Sequence, residues 1–449
     1  MKLIKIVFKI LLLLALVYLY LIQLILNNWY SNEDTIIIMV DDEEENNKYG
    51  VVIQKPLDNQ KAQVELLLHN KAKELMEMPL RYYIYDLQSI DNIMDSGILD
   101  QNTTVYRERH LIDIKNDEQI MEALKKSPHR TYDVDRADFF LPPIPFGRIW
   151  TNKNDDRIFH SVFDVLFNHS IFQQYKGNHH FFIVTTFALF KGSTRPYTNL
   201  QHYYDKVYNV TIVQSFDPCA VYNRLHQDDG DTWAGDYKEA FEREIPVTKR
   251  SVSIGLGSPN HDLNLILASS EKFHQSSNLI FYHSRKKSSY WNSTIYRHAP
   301  ITNRIIGGTF LPKSSIGFDI RRDVWERNLM DSKFCPVIRG DSPHSHALWR
   351  SIRVGCIPVI IADTMPVFAP LFKNTLNLED FAVIIKEEDL IKDTWNTLLQ
   401  LNSISKDDIE IKILHLAFAQ CVLFTDHPNS LFVPALLKEL TMASEVERR

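Results

Sequence analysis

Short apolar and aromatic runs alternate with amphipathic stretches along much of this chain. Helical patterns such as residues 118–126 and 157–167 separate these runs. Strands of four to six residues that alternate with helices are typical of a parallel sheet covered by helices. The pattern therefore predicts an α/β fold, with the first strands at Tyr82–Tyr85, Phe139–Leu141, Phe181–Val184 and Val210–Val213.

A second series of apolar runs follows a break in the pattern. The break is Gly255–Asn260, which has the composition of a linker. The later runs predict strands at residues 279–282, 334–338, 357–361 and 381–385. Two α/β lobes, residues 79–260 and 261–430, with a cleft between them are therefore expected, followed by a last helix within residues 431–449.

The N-terminal 27 residues are predicted to hold the chain in a membrane. An uncharged stretch from Ile10 to Leu26 follows lysines at positions 2, 5 and 9, and its length is at the short end of what a spanning helix needs. A cleaved export signal is the competing interpretation, but the stretch ends without the small residues of a cleavage site. The lysines favour a cytosolic tail of residues 1–9, a transmembrane span over residues 10–27 and a lumenal remainder.

Residues 28–78 are predicted to form a stem between the membrane and the globular part. Residues 31–60 are acidic and rich in asparagine, with no sustained hydrophobic period. The amphipathic segment Val64–Met78 is expected to extend this stem as a helix, and Pro79 marks the globular boundary.

Composition and charge narrow the possible partners. The 449 residues include 50 basic and 56 acidic side chains, a formal charge of -6, so no nucleic-acid partner is expected. No Cys/His cluster has zinc spacing, and neither a metal nor another cofactor is expected. In an oxidising compartment the four cysteines can pair in three ways; burial of Cys335 and Cys356 as free thiols is the alternative. Sequons predict glycosylation and agree with a lumenal location; they begin at Asn102, Asn168, Asn209 and Asn292.

Residues 332–363 carry the strongest chemical pattern in the chain. They read as strand, turn, helix and strand, with Ser342 as the predicted helix N-cap, Pro343 at the first helical position and Gly355 as a left-handed stop. The N-terminus of such a helix presents unpaired N–H groups and a partial positive charge. At the carboxyl edge of a parallel sheet, a phosphate group commonly binds there.

Hydrogen-bond donors are concentrated around the same turn. Candidate phosphate ligands are Arg339, the backbone at Gly340, the hydroxyls of Ser342 and Ser345, and His344. An ordinary capped helix in a parallel sheet explains the same residues without a ligand. The residues alone leave both interpretations open.

This segment also resembles the signature of the exostosin-like glycosyltransferases. Weaker similar pieces occur at residues 83–87, 136–142, 180–182 and 281–285, so the resemblance spans roughly Arg81 to Lys386. The residues that match the signature are Ser332-Lys333-Phe334-Cys335, Arg339-Gly340-Asp341-Ser342-Pro343, Ser345 and Gly355-Cys356-Ile357-Pro358-Val359-Ile360.

The resemblance implies a GT-B fold of two Rossmann-like lobes behind an N-terminal transmembrane helix. It further implies an inverting transferase that uses a nucleotide sugar, usually UDP-linked, without a metal. Residues 79–260 would form the acceptor-side lobe and residues 261–430 the nucleotide-sugar lobe, with the last helix crossing back to the first lobe. A type II Golgi membrane protein acting on a glycan or glycoprotein is also implied, and a homo- or hetero-oligomer is left open.

Two positions of the helix depart from the family pattern. Ala347 stands where the family usually has an arginine that meets the diphosphate, and Arg350 stands where an acidic residue commonly contacts the ribose. Because residues three apart share a helix face, Arg350 is a candidate for the phosphates, with a solvated surface arginine as the alternative. Asp363 is then the candidate for the ribose. Arg285, which follows the first strand of the second lobe, is a further diphosphate candidate, with a solvated turn as its alternative.

The first lobe departs from the family as well. Thr186 and Phe187 replace a His-Asp pair, whereas inverting transfer needs a base beside the acceptor hydroxyl. Asp86 and His160 are the candidates for this base, and a structural role is the alternative for each. These losses motivate a second hypothesis, a non-catalytic exostosin-like protein that binds a nucleotide sugar or glycan or supports a partner transferase.

Overall fold

The computed structural model describes residues 57–96, 116–146, 156–185, 190–191, 203–215, 245–246, 249–254, 263–280, 322–338, 345–363 and 365–445. The described residues from 59 onward group into one compact unit. The predicted transmembrane span, residues 10–27, lies outside the described residues. Within the described residues, no helix combines the length and the apolar character that crossing a bilayer requires.

Helices are distributed along all of the described chain. They are α1 (Leu57–Met76), α2 (Gln88–Ser96), α3 (116–126), α4 (Asp156–Asn168), α5 (Ser170–Tyr175), α6 (Tyr204–Val207), α7 (Ser270–Gln275), α8 (Arg322–Met330), α9 (His346–Arg353), α10 (Met365–Phe368), α11 (Leu378–Phe381), α12 (Glu387–Lys392), α13 (Thr394–Leu399), α14 (Lys406–Leu423) and α15 (Phe432–Glu445).

Strands alternate with these helices, as the sequence predicts for an α/β protein. They are β1 (Tyr82–Ile84), β2 (Arg130–Thr131), β3 (Phe139–Leu141), β4 (Phe181–Val184), β5 (Phe190–Lys191), β6 (Thr211–Gln214), β7 (Ile245–Pro246), β8 (Arg250–Ser253), β9 (Asn278–Ile280), β10 (Ser332–Ile338), β11 (Ile357–Ile361) and β12 (Val383–Ile384).

The strands before residue 255, apart from the short antiparallel pair β5 and β7, lie in parallel arrays. One array has the order β2-β1-β3 and the other the order β4-β6-β8. A parallel bridge between Phe140 and His180 joins the two, and we call them together the first sheet. Every residue of β4 and β6 is buried, which is expected when helices cover both faces of a parallel sheet.

The second sheet has the strand order β12-β11-β10-β9, and all of its pairs are parallel. A disulfide joins Cys335 of β10 to Cys356, which immediately precedes β11. This decides between pairing and burial as free thiols for these two cysteines. Cys421 is a free thiol among the described cysteines, and Cys219 lies outside the described residues. The disulfide closes a covalent loop around the turn and helix between the two strands.

The two ends of the compact unit pack into its core. Helix α15 packs against β6 and β8 of the first sheet, the path expected for the last helix. Helix α1 buries Leu68 and Leu75 in the core that contains both sheets, and its Lys61 pairs with Glu410 at 3.1 Å. The range predicted as a stem therefore contains a helix that belongs to the globular unit.

Gln420 holds the segment that leads into the second sheet. Its side chain, on α14, has no exposed surface. The Gln420 Oε1 accepts a hydrogen bond from the Ala268 N–H at 2.8 Å, and its Nε2 donates to the carbonyl oxygens of Ile266 and Ile352, both at 2.7 Å. One buried amide thus joins residues 266–268, the last turns of α9 and helix α14.

Candidate functional site

The carboxyl edge of the second sheet is the place where the sequence predicts a ligand. Strands β10 and β11 are parallel and end at Ile338 and Ile361, so the residues that follow them begin at the same edge. Helix α9 also begins at this edge, because it follows β10 in the chain. Several predicted ligands lie outside the described residues: Arg285, Arg339, Gly340, Ser342 and His344.

Helix α9 begins three residues later than predicted. Its N-cap is Ser345, whose Oγ accepts a hydrogen bond from the Ala347 N–H at 3.2 Å, and the helix starts at His346. The prediction of Ser342 as the cap was therefore wrong. Both serines offer the same hydroxyl chemistry, and a proline beside the first one does not decide between them. The positive end of the helix dipole consequently lies at Ser345.

The end of α9 follows the prediction. Gly355 has a φ of +63°, its N–H donates to the Ile352 carbonyl at 3.1 Å, and the Cys356 N–H donates to the Ser351 carbonyl at 3.0 Å. A Cβ atom on Gly355 would lie 3.1 Å from both the Ala268 Cα and the Ile266 carbonyl oxygen. Left-handed backbone and close packing therefore both favour glycine at this position.

Replacement of Gly355 by alanine is expected to lower the free energy of unfolding by about 1–2 kcal/mol, the usual cost of a left-handed L-residue, with crowding against residues 266–268 in addition. Urea unfolding followed by circular dichroism would measure the loss. Gly355→Asn separates the two causes, because asparagine tolerates the left-handed region but carries the same Cβ. An unchanged urea midpoint for Gly355→Ala would contradict this interpretation.

Arg350 and Ala347, the two positions of α9 that depart from the family pattern, both contact other parts of the protein. The Arg350 guanidinium carbon lies 5.3 Å from the centroid of the Trp325 ring on α8, a distance typical of a cation–π contact. Ala347 packs against the main hydrophobic core. Binding of Arg350 to a diphosphate stays a prediction, and any such role has to be compatible with the Trp325 contact.

Asp363 follows β11 at the same edge and is exposed. Its Oδ1 accepts a hydrogen bond from the Glu387 N–H at 3.0 Å, and the Glu387 Oε1 accepts one from the Asp363 N–H at 3.2 Å. Glu387 is the first residue of α12, so this reciprocal pair fixes the start of that helix. One carboxylate oxygen of Asp363 is thus engaged in holding the start of α12. Contact of Asp363 with a ribose stays a prediction.

The candidate bases lie in helices and loops around the first sheet. Asp86 is exposed, two residues after β1. His160 on α4 is partly buried, and its Nδ1 lies 2.8 Å from the Tyr203 hydroxyl. The structure therefore gives His160 a hydrogen-bond partner but tests neither residue as a base.

Asp117 is a buried carboxylate that the sequence reasoning missed. It lies on α3, is 7% exposed, and its Oδ1 accepts hydrogen bonds from the Thr185 hydroxyl at 2.7 Å and the Thr185 N–H at 3.4 Å. Thr185 directly follows β4 and precedes Thr186 and Phe187, which lie outside the described residues. An acid at the start of a helical pattern is too common to single out, so only the fold brings Asp117 to the end of β4.

Polar side chains follow the other strands of this edge too. Thr185, Gln214, Ser215 and Ser253 lie at or just after the ends of β4, β6 and β8, and all are buried. The side-chain oxygen of Gln214 is buried and has no hydrogen-bond partner among the described residues. The carboxyl edge of the first sheet is therefore polar, whereas its strands are apolar inside.

His180 is a buried titratable group of the first sheet. Burial lowers its pKa to about 4, so the imidazole is neutral at physiological pH. Its Nδ1 lies 2.8 Å from the Asn178 carbonyl and must donate to it, which leaves Nε2 to accept from the Tyr85 hydroxyl at 2.6 Å. This pair fixes the tautomer of His180 and gives it a structural role.

Two predicted glycosylation sites lie within the described residues. Asn168 is exposed at the end of α4. Asn209 is partly buried, and its carbonyl accepts a hydrogen bond from Arg250 at 3.1 Å. Asn102 and Asn292 lie outside the described residues. Exposure therefore favours modification at Asn168 over Asn209.

Comparison with known proteins gives one family. The model of the exostosin GT47 domain matches residues 76–400, well over half of the chain. The matched range begins at the end of α1 and contains all of the described strands. Comparison with curated proteins finds no match.

Proposed function

This chain belongs to the exostosin GT47 family of glycosyltransferases, and from that membership we propose that it transfers a sugar from a UDP-linked donor to a glycan or glycoprotein, with inversion at the sugar carbon. The proposal includes a GT-B arrangement, in which the first sheet serves the acceptor and the second sheet the donor. The observation that carries it is the start of α9 at the carboxyl edge of the second sheet, where a helix dipole favours an anion.

In this proposal the donor diphosphate binds at the start of α9. Negative charge develops on the leaving UDP as the bond to the sugar breaks. The partial positive charge at Ser345 and the guanidinium of Arg339 stabilise that charge, which lowers the barrier because the donors are already in place. Arg285 and Arg350 are further candidates for the diphosphate, and Asp363 is the candidate for the ribose.

The acceptor hydroxyl has to lose a proton as it attacks the sugar carbon. Asp117 supports this step in the proposal, because it brings a carboxylate to the end of β4, beside the position where the family pair is replaced by Thr186 and Phe187. Asp86 and His160 are the other candidates. A carboxylate within reach of the hydroxyl, directly or through a water, suffices for general-base catalysis.

Location in the Golgi lumen as a type II membrane protein is part of the proposal. The disulfide between Cys335 and Cys356 supports it, because structural disulfides are rare in reducing compartments. The exposed sequon at Asn168 and the lysines before the uncharged N-terminal stretch agree with it.

A non-catalytic protein that binds UDP-sugar or glycan is the second candidate. It is favoured by Ala347, which packs against the core where the family has an arginine, and by the contact of Arg350 with Trp325. Ala347 removes a cation that the family pattern provides for the leaving group, and the Trp325 contact already engages the guanidinium that would replace it.

UDP is expected to raise the melting temperature of the full-length protein in detergent. At a concentration 100 times its dissociation constant, a ligand of the native state adds about 2.7 kcal/mol of stability. Differential scanning fluorimetry would measure the shift, with a panel of UDP- and GDP-sugars beside ADP as the control nucleotide. UDP release from a UDP-sugar with an acceptor library then distinguishes transfer from binding alone. If no nucleotide or nucleotide sugar shifts the melting temperature, the transfer proposal and the nucleotide-sugar-binding form of the second candidate are both contradicted, and only glycan binding is left.

A further inference from the structure

A cavity of about 330 Å³ opens at the amino ends of strands in the first sheet. Its lining comes from the residues that precede β1, β3 and β4, from the first residues of β3, and from the ends of α5 and α15. Because the strands are parallel, this edge is opposite to the carboxyl edge where the proposed transfer takes place. The cavity is therefore separate from that site. The lining includes Asp138, Phe140, Tyr175, His179, Thr441 and Ser444.

Aromatic rings form the apolar part of the cavity. The Tyr175 ring is partly buried, and its centroid lies 4.6 Å from that of the buried Phe140. His179 is exposed, has a φ of +63°, and its ring stands at 80° to the Tyr175 ring with centroids 6.4 Å apart. These two rings enclose a corner in which a flat apolar face can pack.

The polar part of the cavity is rich in hydrogen-bond acceptors. One oxygen of Asp138, Oδ2, accepts from the Arg81 N–H at 2.7 Å, and its Oδ1 has no partner among the described residues. The hydroxyl protons of Thr441 and Ser444 are used, because they donate to the carbonyls of Leu437 and Thr441 at 2.9 and 2.8 Å. The lone pairs of these hydroxyl oxygens are what remains for a ligand.

This arrangement selects a class of ligand. Acceptors in the wall need donors on the ligand, so phosphates and carboxylates are disfavoured. A ligand with several hydroxyl groups and one apolar face satisfies both the acceptors and the aromatic corner. A neutral sugar ring has these features, and the volume lies at the lower end of small-molecule sites, roughly 300–1,000 Å³.

We propose that this cavity binds a neutral sugar residue of a glycan. Taken with the proposed function, on which this part rests, the glycan is the acceptor, held at a second point away from the transferring edge. A second contact raises the effective concentration of the reacting end without a new contact at the transfer site. Long acceptors would then be favoured over short ones of the same terminal structure.

Sugar binding can be tested on the full-length protein in detergent without nucleotide. Saturation-transfer NMR with methyl β-galactoside, methyl β-xyloside and N-acetylglucosamine is expected to show binding of at least one, with a dissociation constant on the order of 1 mM. Glucuronate and methylammonium serve as anionic and cationic probes. Absence of binding by all three neutral sugars, or stronger binding of either charged probe, overturns the inference.

Two variants test whether the neutral sugar binds in this cavity. Tyr175→Ala removes an aromatic wall and is expected to weaken binding by about tenfold. Asp138→Asn keeps an oxygen for the Arg81 N–H but replaces the open acceptor by a donor, and a similar loss is expected. Tyr132→Ala is the matched control, since Tyr132 is 78% exposed and lies outside the cavity lining. Binding that survives both cavity variants overturns the proposal, and Asp138→Asn keeps the test available if Tyr175→Ala does not fold.

The sugar-binding experiment and the nucleotide experiment test different sites, so each can fail while the other succeeds. UDP stabilisation without sugar binding in the cavity contradicts only the second site. Sugar binding that depends on Tyr175 and Asp138, in a protein that no nucleotide stabilises, contradicts only the transfer proposal and leaves a glycan-binding protein.

Discussion

Arg339→Ala is expected to lower kcat/KM for sugar transfer by about 10²- to 10³-fold, the typical effect of removing one preorganised donor from developing charge. Arg339 follows Ile338, the last residue of β10, within the loop closed by Cys335 and Cys356. A guanidinium binds diphosphate oxygens bidentately and keeps its charge at any physiological pH. The effect should therefore fall mainly on kcat, because the leaving UDP carries more charge in the transition state than in the bound donor.

The matched control for this experiment is Arg327→Ala. Arg327 lies on α8, 70% exposed, with Asp323 at 3.4 Å, so the substitution removes the same charge from a surface ion pair of little energetic value. Release of UDP from a UDP-sugar in the presence of acceptor gives the rates. A rate for Arg339→Ala equal to that of the wild type would show that Arg339 does not hold the leaving group.

Gln420→Met is expected to lower the free energy of unfolding by about 3 kcal/mol. Methionine has a similar length but leaves the Ala268 N–H and the Ile266 carbonyl without their partner. The Ile352 carbonyl loses the bond from Gln420 but keeps the one from the Gly355 N–H. A buried backbone group that loses its partner costs about 1–3 kcal/mol, and relaxation of residues 266–268 recovers part of the sum. Chemical denaturation of the full-length protein measures the difference.

Gln400→Met is the appropriate control for Gln420, because Gln400 is exposed. The same change of side chain there is expected to alter stability by less than about 0.5 kcal/mol. Equal denaturation midpoints for the two variants would show that Gln420 contributes no more than a surface glutamine.

The sequence predicts most strands because their apolar runs are buried on both faces. It is less accurate at strand ends, where local hydrogen bonds compete with the sheet. Val210 was predicted in a strand, but its N–H donates to the Val207 carbonyl in a turn, and β6 begins at Thr211. Phe381 was also predicted in a strand, but it ends helix α11, and β12 covers only Val383–Ile384.

Near the candidate site, the sequence predicts the glycine that ends α9 and misses buried polar residues that the fold brings to the sheets. Gly355 is identifiable because only a helix end requires a left-handed glycine there. Asp117 and Gln420 lie in helical patterns where a polar residue normally faces solvent, and only the fold shows that both are buried. Helix α1 was assigned to the stem because an amphipathic stripe does not reveal which surface it packs against.

The disulfide between Cys335 and Cys356 makes complete folding of this segment depend on the compartment in which the chain is produced. It makes the proposed donor turn part of a ring that is complete only after two thiols have been oxidised. A chain produced where thiols stay reduced would contain all of residues 332–363 but would lack the disulfide that joins β10 to the residue before β11. Recombinant material is therefore best obtained by secretion, and its thiol content is a simple measure of how much has matured.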